Sequence, residues 1–205
     1  KNGKDYTTAP SFWFKKNNII IKNRNLPLMK AQEMDELPPL TYEDGELIYQ
    51  RGKGFKNINY NDFIDYTGLS YNAVWSIGCP LHCTFCANTK FIEYDKTYRR
   101  LRHSDPQTMV NEIKRAISKH PHISTVSFFD DSFMALPYVK IEEFCKLWKK
   151  EVKIPFCIQG IIPNYVREDK IAVLVDAGMN RVRMGVQSGS ENILEFYKRP
   201  TKLHK

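Results

Sequence analysis

No run of the 205-residue chain approaches the roughly 18 consecutive apolar residues of a membrane span. The opening Lys1-Asn2-Gly3-Lys4-Asp5 has nothing of the apolar stretch that marks a secretory leader. These two lacks point to a cytoplasmic protein with no membrane span. Internal repeats and low-complexity tracts are missing as well, so neither a repeat array nor a disordered chain is indicated. Cysteine is scarce and odd in number: five in all, three of them within eight residues. Without a secretory signal that pattern argues against a disulfide framework and for a bound metal. Acidic residues are outnumbered, 23 Asp and Glu against 31 Lys and Arg, for a net charge of +8. The excess is diffuse except at Lys96, Arg99, Arg100 and Arg102, which are mixed with Tyr94, Tyr98 and His103. That concentration either meets a phosphate or a nucleic acid or is simply a solvated basic loop.

Large apolar side chains are well supplied. Twelve Phe, eleven Tyr and three Trp, in a chain that is 42% hydrophobic, are enough for the core of one domain with an appendage. Residues 1–70 differ in texture from the rest. They are rich in Asn, carry Leu37-Pro38-Pro39-Leu40, and hold short apolar runs at Phe12-Trp13-Phe14 and Ile19-Ile20-Ile21. Proline opposes both helix interiors and central strands, so an extended linker or peripheral layer is expected there.

From residue 71 short apolar runs alternate with helix-period segments, the βα rhythm. Strands are expected at Ala73–Ile77, Ile123–Phe129, Ile154–Ile161 and Arg181–Val186. The first helix is expected from Ser104, where Ser104-Asp105-Pro106-Gln107 has the form of a capping box, with Met109, Val110, Ile113, Ala116 and Ile117 on one face. The second carries Ile141, Phe144, Cys145 and Trp148 at i, i+3, i+4, i+7. The third runs through Ile171, Leu174 and Val175 to a stop at Gly178, and a fourth spans Glu191–Tyr197. Four βα units in series imply an α/β fold, a parallel sheet with right-handed crossovers whose chemistry sits at the C-terminal ends of the strands.

The sharpest motif is Cys79-Pro80-Leu81-His82-Cys83-Thr84-Phe85-Cys86, three thiols spaced C-x3-C-x2-C in the loop after the first strand. A structural zinc site wants four closed ligands, and neither Cys145, on a helix face, nor Cys157, inside a strand, is placed to close one. Thiolates also hold iron–sulfur clusters, and a cubane on three cysteines keeps one iron free. His82 stands open as a fourth zinc ligand or as a polar loop residue.

With an aromatic residue, Phe85, before its last cysteine, this motif resembles the signature of the radical S-adenosylmethionine enzymes. Two further segments agree. Phe128-Phe129-Asp130-Asp131-Ser132 ends the second strand, where that family places an acidic segment for the amino group of S-adenosylmethionine. Gly185-Val186-Gln187-Ser188-Gly189-Ser190-Glu191 ends the fourth, where related members contact the ribose and methionine part. The resemblance covers about residues 71–200. It implies a 4Fe-4S cluster on Cys79, Cys83 and Cys86, with Phe85, Asp130, Asp131, Gln187, Ser188 and Glu191 at S-adenosylmethionine. The residues by themselves leave other readings open. Either aspartate can cap a turn, Ser188-Gly189-Ser190-Glu191 can be a plain helix start, and Phe85 can merely shield the cluster. Lys198-Arg199, after the last helix, needs only the helix dipole as its explanation, and no catalytic side chain is singled out.

The spelling of the motifs, together with residues 11–40, is similar to members with a cobalamin-binding domain ahead of the radical domain. The resemblance therefore implies that residues 1–70 are a linker or peripheral segment after an absent, cobalamin-binding domain. It also implies that 71–205 are a radical core, a partial (βα) barrel truncated after about four units where the family has six. The implied activity is reductive cleavage of S-adenosylmethionine to a 5′-deoxyadenosyl radical, and with cobalamin, methyl transfer to an unactivated carbon. An electron donor such as flavodoxin or ferredoxin is the implied partner, and the substrate stays unnamed. A methylthiotransferase-like enzyme acting on transfer RNA and a non-catalytic iron–sulfur binding module remain as alternatives.

Overall fold

The computed structural model describes residues 5–39 and 45–201; Lys1 to Lys4, Leu40 and the closing Lys202 to Lys205 of the expected segments lie outside them. The first 70 residues form small local units. β1 (Trp13–Lys16) and β2 (Ile19–Lys22) pair antiparallel across Asn17 and Asn18, both in the left-handed region that a two-residue hairpin turn requires. A single turn, α1 (Ala31–Met34), precedes a second hairpin of β3 (Leu47–Gln50) and β4 (Gly54–Asn57). α2 (Tyr60–Thr67), which the linker reading did not anticipate, starts at an Asn59–Asp62 capping box and buries Phe63.

The sheet follows. β5 (Ser70–Ala73) alternates in burial, with Tyr71 and Ala73 inward. β6 (Ser76–Ile77) leaves the sheet and, after α3 (Ala87–Tyr94) and a 3-10 turn at Lys96–Arg99, pairs antiparallel with β7 (Arg102–His103). Then come α4 (Pro106–Lys119), β8 (Thr125–Phe128), α5 (Tyr138–Glu151), β9 (Phe156–Ile161), α6 (Glu168–Asp176), β10 (Met179–Met184) and α7 (Glu191–Phe196). β5, β8, β9 and β10 lie side by side in chain order, all parallel. α4, α5 and α6 pack one on the next, as right-handed crossovers between parallel strands would place them. The result is the expected α/β partial barrel of four βα units.

Its core lies between sheet and helices and is mostly aromatic. Trp75, Phe128, Phe133, Phe144, Trp148 and Phe156 are fully buried in mutual ring contact, with Trp75 stacked on Phe144 at 4.8 Å. Lys170 is the exception inside α6: only 5% exposed, it donates from Nζ to the carbonyls of Met134 (2.7 Å) and Leu136 (2.6 Å).

Three expectations need correction. The first strand is Ser70–Ala73, not Ala73–Ile77, because the Asp130 carboxylate takes the backbone N–H groups of Trp75 and Ser76 out of the ladder. The α4 cap is Asp105, whose Oδ1 accepts from Gln107 N, rather than Ser104. Val175 does not belong to the buried face of α6; it is exposed and Lys170 is buried with Leu174 in its stead.

Candidate active site

All three motifs arrive at the C-terminal edge of the sheet, and two adjacent aspartates divide the work of holding them. Asp130, at the end of β8, is sealed behind the edge at 3% exposure. It accepts from Ser76 N (2.5 Å), Ser76 Oγ (2.6 Å) and Trp75 N (3.2 Å), and so fixes the point where the cysteine loop departs. Burial pushes its carboxyl up to about 6, although the bonds from Ser76 and Trp75 act in the opposite direction. Asp131 faces the loop itself. Its Oδ2 accepts from Gly78 N (3.1 Å) and the Tyr98 hydroxyl (2.9 Å), and its Oδ1 from Asn88 Nδ2 (2.8 Å), which ties together the residue before Cys79 and the helix after Cys86. Burial, with the Asp131 hydrogen bond second, holds the Tyr98 phenol far above its ordinary value.

The loop is closed from within and from α7. Cys83 O accepts from Cys86 N (3.1 Å) and Thr89 Oγ1 (2.7 Å), while Thr84 N donates to Tyr197 O (3.1 Å). Phe85 packs edge-on against Tyr197 at 5.0 Å. Gly78, at φ +114°, is a position where a side chain is excluded: a Cβ there would stand 2.6 Å from Arg100 O and 2.8 Å from Tyr98 O. Gly160 has the same reason, with Asp130 O 2.7 Å from where its Cβ would be.

Cys79, Cys83 and Cys86 then line one cleft of about 160 Å³ with Phe85, Asn88, Asp131, Gly160, Gly185, Gln187 and Arg199. Cys79 and Cys83 are buried, and burial pushes the Cys79 thiol up. Gln187 reaches the cleft from a tight turn, with φ +73° and Ser188 N bonded back to Val186 O (3.0 Å), a strained conformation for a residue other than glycine. Of the six residues expected at the cofactor, Phe85, Asp131 and Gln187 line the cleft. Asp130 lies behind it, Ser188 accepts from Ser190 N at the start of α7 (3.0 Å), and Glu191 sits exposed in the first turn of that helix.

Arg199 is the site residue that sequence reasoning missed. α7 ends in a Schellman motif, with Lys198 left-handed at φ +52° and Arg199 N bonded to Leu194 O (2.8 Å), and this turn aims the next side chain inward. Arg199 is only 9% exposed; Nη2 donates to Gly185 O (2.6 Å), Nη1 lies 3.5 Å from Cys83 Sγ, and Nε is buried with no hydrogen-bond partner among the described residues. The dipole explanation of Lys198-Arg199 therefore does not suffice. The signal available in the sequence was Phe196-Tyr197-Lys198-Arg199-Pro200 itself, an abrupt helix stop with a proline behind it.

Three cysteine thiols on one cleft are a donor set that an iron–sulfur cubane accepts. Among the described residues no three His, Cys, Asp or Glu side chains converge closely enough to hold one metal ion. A four-iron cubane takes one thiolate per iron and spreads its ligands more widely. The three thiols share the cleft with an adjacent polar wall of Asn88, Asp131, Gln187 and Arg199.

Comparison with known proteins agrees with this arrangement. The family profile described as "Radical SAM superfamily" matches residues 74–204. An anaerobic magnesium-protoporphyrin IX monomethyl ester cyclase from Rubrivivax gelatinosus is 28% identical over 130 residues, 62% of this chain and 22% of that protein. A cytidylyl-2-hydroxyethylphosphonate methyltransferase from Streptomyces wedmorensis is 27% identical over 136 residues, 63% of this chain and 23% of that one. The chain thus spans less than a quarter of the length of these relatives. Among solved structures, the cobalamin-dependent S-adenosylmethionine radical enzyme OxsB, with aqua-cobalamin and S-adenosylmethionine bound, superposes with a TM-score of 0.69 at 18% identity, over 98% of this chain and 27% of that one. The fold is shared along the first 70 residues as well as the core.

Proposed function

The chain belongs to the radical SAM superfamily, and from that membership we propose that its cleft holds a 4Fe-4S cluster on Cys79, Cys83 and Cys86 with S-adenosylmethionine beside it. The observation that carries the reading is the convergence of three thiols, an acidic side chain and a buried guanidinium on one cleft at the strand ends. When bound, the cluster supplies the electron that splits S-adenosylmethionine into methionine and a 5′-deoxyadenosyl radical, which takes hydrogen from a substrate.

The chain's own residues bind and orient. The Asp131 clasp holds the cysteine loop shut at both ends, so that the thiols meet the cluster in a fixed spacing. Arg199, with an unpartnered Nε, supplies a fixed positive charge for the thiolates and for a carboxylate. Gln187 offers a neutral donor and acceptor suited to hydroxyls, and Gly160 and Gly185 let a ligand approach the backbone. Phe85, half exposed and packed edge-on against Tyr197, gives the cleft an apolar rim. Asp130, Ser188 and Glu191 are given no ligand contact in this reading.

The finer assignment is a cobalamin-dependent methyltransferase or a related radical enzyme, with residues 1–70 as the connection from a cobalamin-binding domain and 71–205 as part of the radical core. It is supported by the methyltransferase among the relatives and by the likeness to OxsB through the hairpin region.

The test is anaerobic. Iron and sulfide are measured with the electron paramagnetic resonance of the reduced protein, with and without S-adenosylmethionine, and cobalamin is assayed in the same sample. About four irons per chain, a signal that shifts on adding the cofactor, and loss of both in Cys79→Ala are expected. Zinc in place of iron, or a spectrum indifferent to S-adenosylmethionine, refutes the radical reading and leaves a binding module.

A further inference from the structure

The segment between α3 and β7 carries Lys96, Arg99 and Arg100, which are exposed and in no ion pair among the described residues, as in a solvated basic loop. Tyr98, in their midst, is half-buried and turned the other way. A 3-10 turn directs it. Asp95 Oδ1 accepts from Thr97 N (2.9 Å) and Thr97 Oγ1 (2.6 Å), and Arg100 N closes the turn on Thr97 O (3.0 Å). The ring is then fixed from two elements, by Phe91 of α3 at 5.2 Å and by the Arg102 guanidinium of β7 at 5.6 Å.

Held there, Tyr98 closes a circuit of hydrogen bonds around the first cysteine. Its carbonyl accepts from Cys79 N (3.3 Å), and its hydroxyl donates to Asp131 Oδ2 (2.9 Å), the same oxygen that accepts from Gly78 N (3.1 Å). Two consecutive N–H groups of the cysteine loop thus end on one tyrosine and on the carboxylate that this tyrosine holds. There is no slack at Gly78, where a Cβ would stand 2.8 Å from Tyr98 O. A turn that only linked α3 to β7 would have no use for the hydroxyl, since phenylalanine packs between Phe91 and Arg102 as well. What the hydroxyl adds concerns charge. Asp131 lines the cleft together with Cys79, and a carboxylate there opposes the arrival of an electron on a cluster held by that thiolate. A hydrogen bond donated to the carboxylate draws its charge towards the phenol and weakens that opposition.

We propose that Tyr98 is a positioning residue of the cluster site: its ring and carbonyl fix Cys79 in the loop, and its hydroxyl, acting through Asp131, raises the potential at which the cluster takes up an electron. The proposal rests on the cluster reading above and adds to it a residue that touches neither the cluster nor S-adenosylmethionine. The step concerned moves one electron: a reduced viologen loses it and the cluster gains it, with no bond made or broken.

The test is a redox titration of the protein, loaded with iron and sulfide without oxygen and poised with reduced viologens, with the reduced cluster followed by its electron paramagnetic resonance. Tyr98→Phe removes the hydroxyl and keeps the ring. Tyr94→Phe, which removes an exposed hydroxyl at the end of α3, is the control. Tyr98→Phe is expected to keep its iron and to show a reduced-to-oxidised ratio at least about threefold lower at a given potential, a midpoint fall of about 28 mV for one electron. Tyr94→Phe is expected to match the wild type. Because the signal reports only loaded protein, partial loss of iron leaves the midpoint readable, and a merely structural hydroxyl would lower iron content without moving it. A midpoint unchanged or raised in Tyr98→Phe, or lowered equally in Tyr94→Phe, overturns the proposal while leaving the cluster in place. A Tyr98→Phe protein that takes up no iron at all also overturns it, by making the hydroxyl a structural pin. A wild-type protein without iron overturns the cluster reading and this proposal with it.

Discussion

Asp130→Asn tests whether the buried aspartate is the pin of the site. The wild-type carboxyl accepts three hydrogen bonds from Trp75 and Ser76, both 0% exposed. Asn keeps the volume but offers one acceptor oxygen, and its amide hydrogens point at backbone N–H groups that are themselves donors. At least one buried N–H is left unpaired, worth about 1–3 kcal/mol, and a second bond is weakened, so a loss of about 2–4 kcal/mol is expected. The pH dependence has a definite sign. The folded-state pKa of Asp130 is raised from 3.8 to about 6, so its contribution to stability is fully present below 3.8 and is lost as pH rises through 6. Asn does not titrate, so the difference between wild type and variant is largest in acid and shrinks by about 2 kcal/mol between pH 4.5 and 7. Urea unfolding followed by the fluorescence of buried Trp75 and Trp148 reads both effects. A difference below about 1 kcal/mol at pH 4.5, where the full loss is expected, or one that grows towards neutral pH, would refute the reasoning.

Gly78→Ala is expected to lose most of its iron after reconstitution, because φ +114° and the carbonyls of Tyr98 and Arg100 at 2.8 and 2.6 Å leave a Cβ no room; full iron content with an unchanged melting temperature would count against the close approach. Lys170→Met leaves the carbonyls of Met134 and Leu136 without their donor and is expected to lower stability by about 2 kcal/mol, or roughly 4–8 °C in thermal melting, whereas a stabilised variant would show the ammonium to be a net burden. Arg199→Leu is expected to keep its iron and to bind S-adenosylmethionine at least about tenfold more weakly by calorimetry, and unchanged affinity would remove the guanidinium from the ligand site.

The periodic parts of the fold were legible because the forces behind them are local. Met109, Val110, Ile113 and Ala116 fall on one face of α4, and Ile141, Phe144, Cys145 and Trp148 on one face of α5, and all eight are buried as their spacing requires. The first strand was misplaced because Val74-Trp75-Ser76-Ile77 reads as a better strand than Ser70-Tyr71-Asn72-Ala73. What removes it from the sheet is a carboxylate 54 residues later in the chain, at Asp130. α2 went unexpected for the opposite reason: Tyr60, Phe63 and Ile64 do stand at i, i+3, i+4 behind the Asn59 capping box, but eight residues hold barely two turns of that pattern in a stretch otherwise rich in polar residues.

The site shows the same limit at finer grain. A motif at the end of a strand can be assigned to the cleft edge, because topology sends every such end there, but which of its side chains enter the cleft depends on a single alternation of direction. Asp130 and Asp131 are adjacent, and residues i and i+1 leaving a strand point to opposite sides. One is sealed under the loop and the other lines the cleft. Of the two aspartates expected at the cofactor, Asp131 alone lines the cleft. Arg199 was beyond such reasoning. Its direction follows from Lys198 adopting a left-handed conformation that glycine or asparagine takes far more readily; Pro200 marks the helix stop, but a lysine at that position does not mark the Schellman turn that aims Arg199 inward. The burial of its guanidinium against Gly185 O and Cys83 Sγ then follows from packing between α7 and the cysteine loop, a contact across 116 residues. Burying such a cation, with one N–H unpartnered among the described residues, is costly unless negative charge stands beside it. The thiolates and ligand carboxylate of the proposed site would supply that charge.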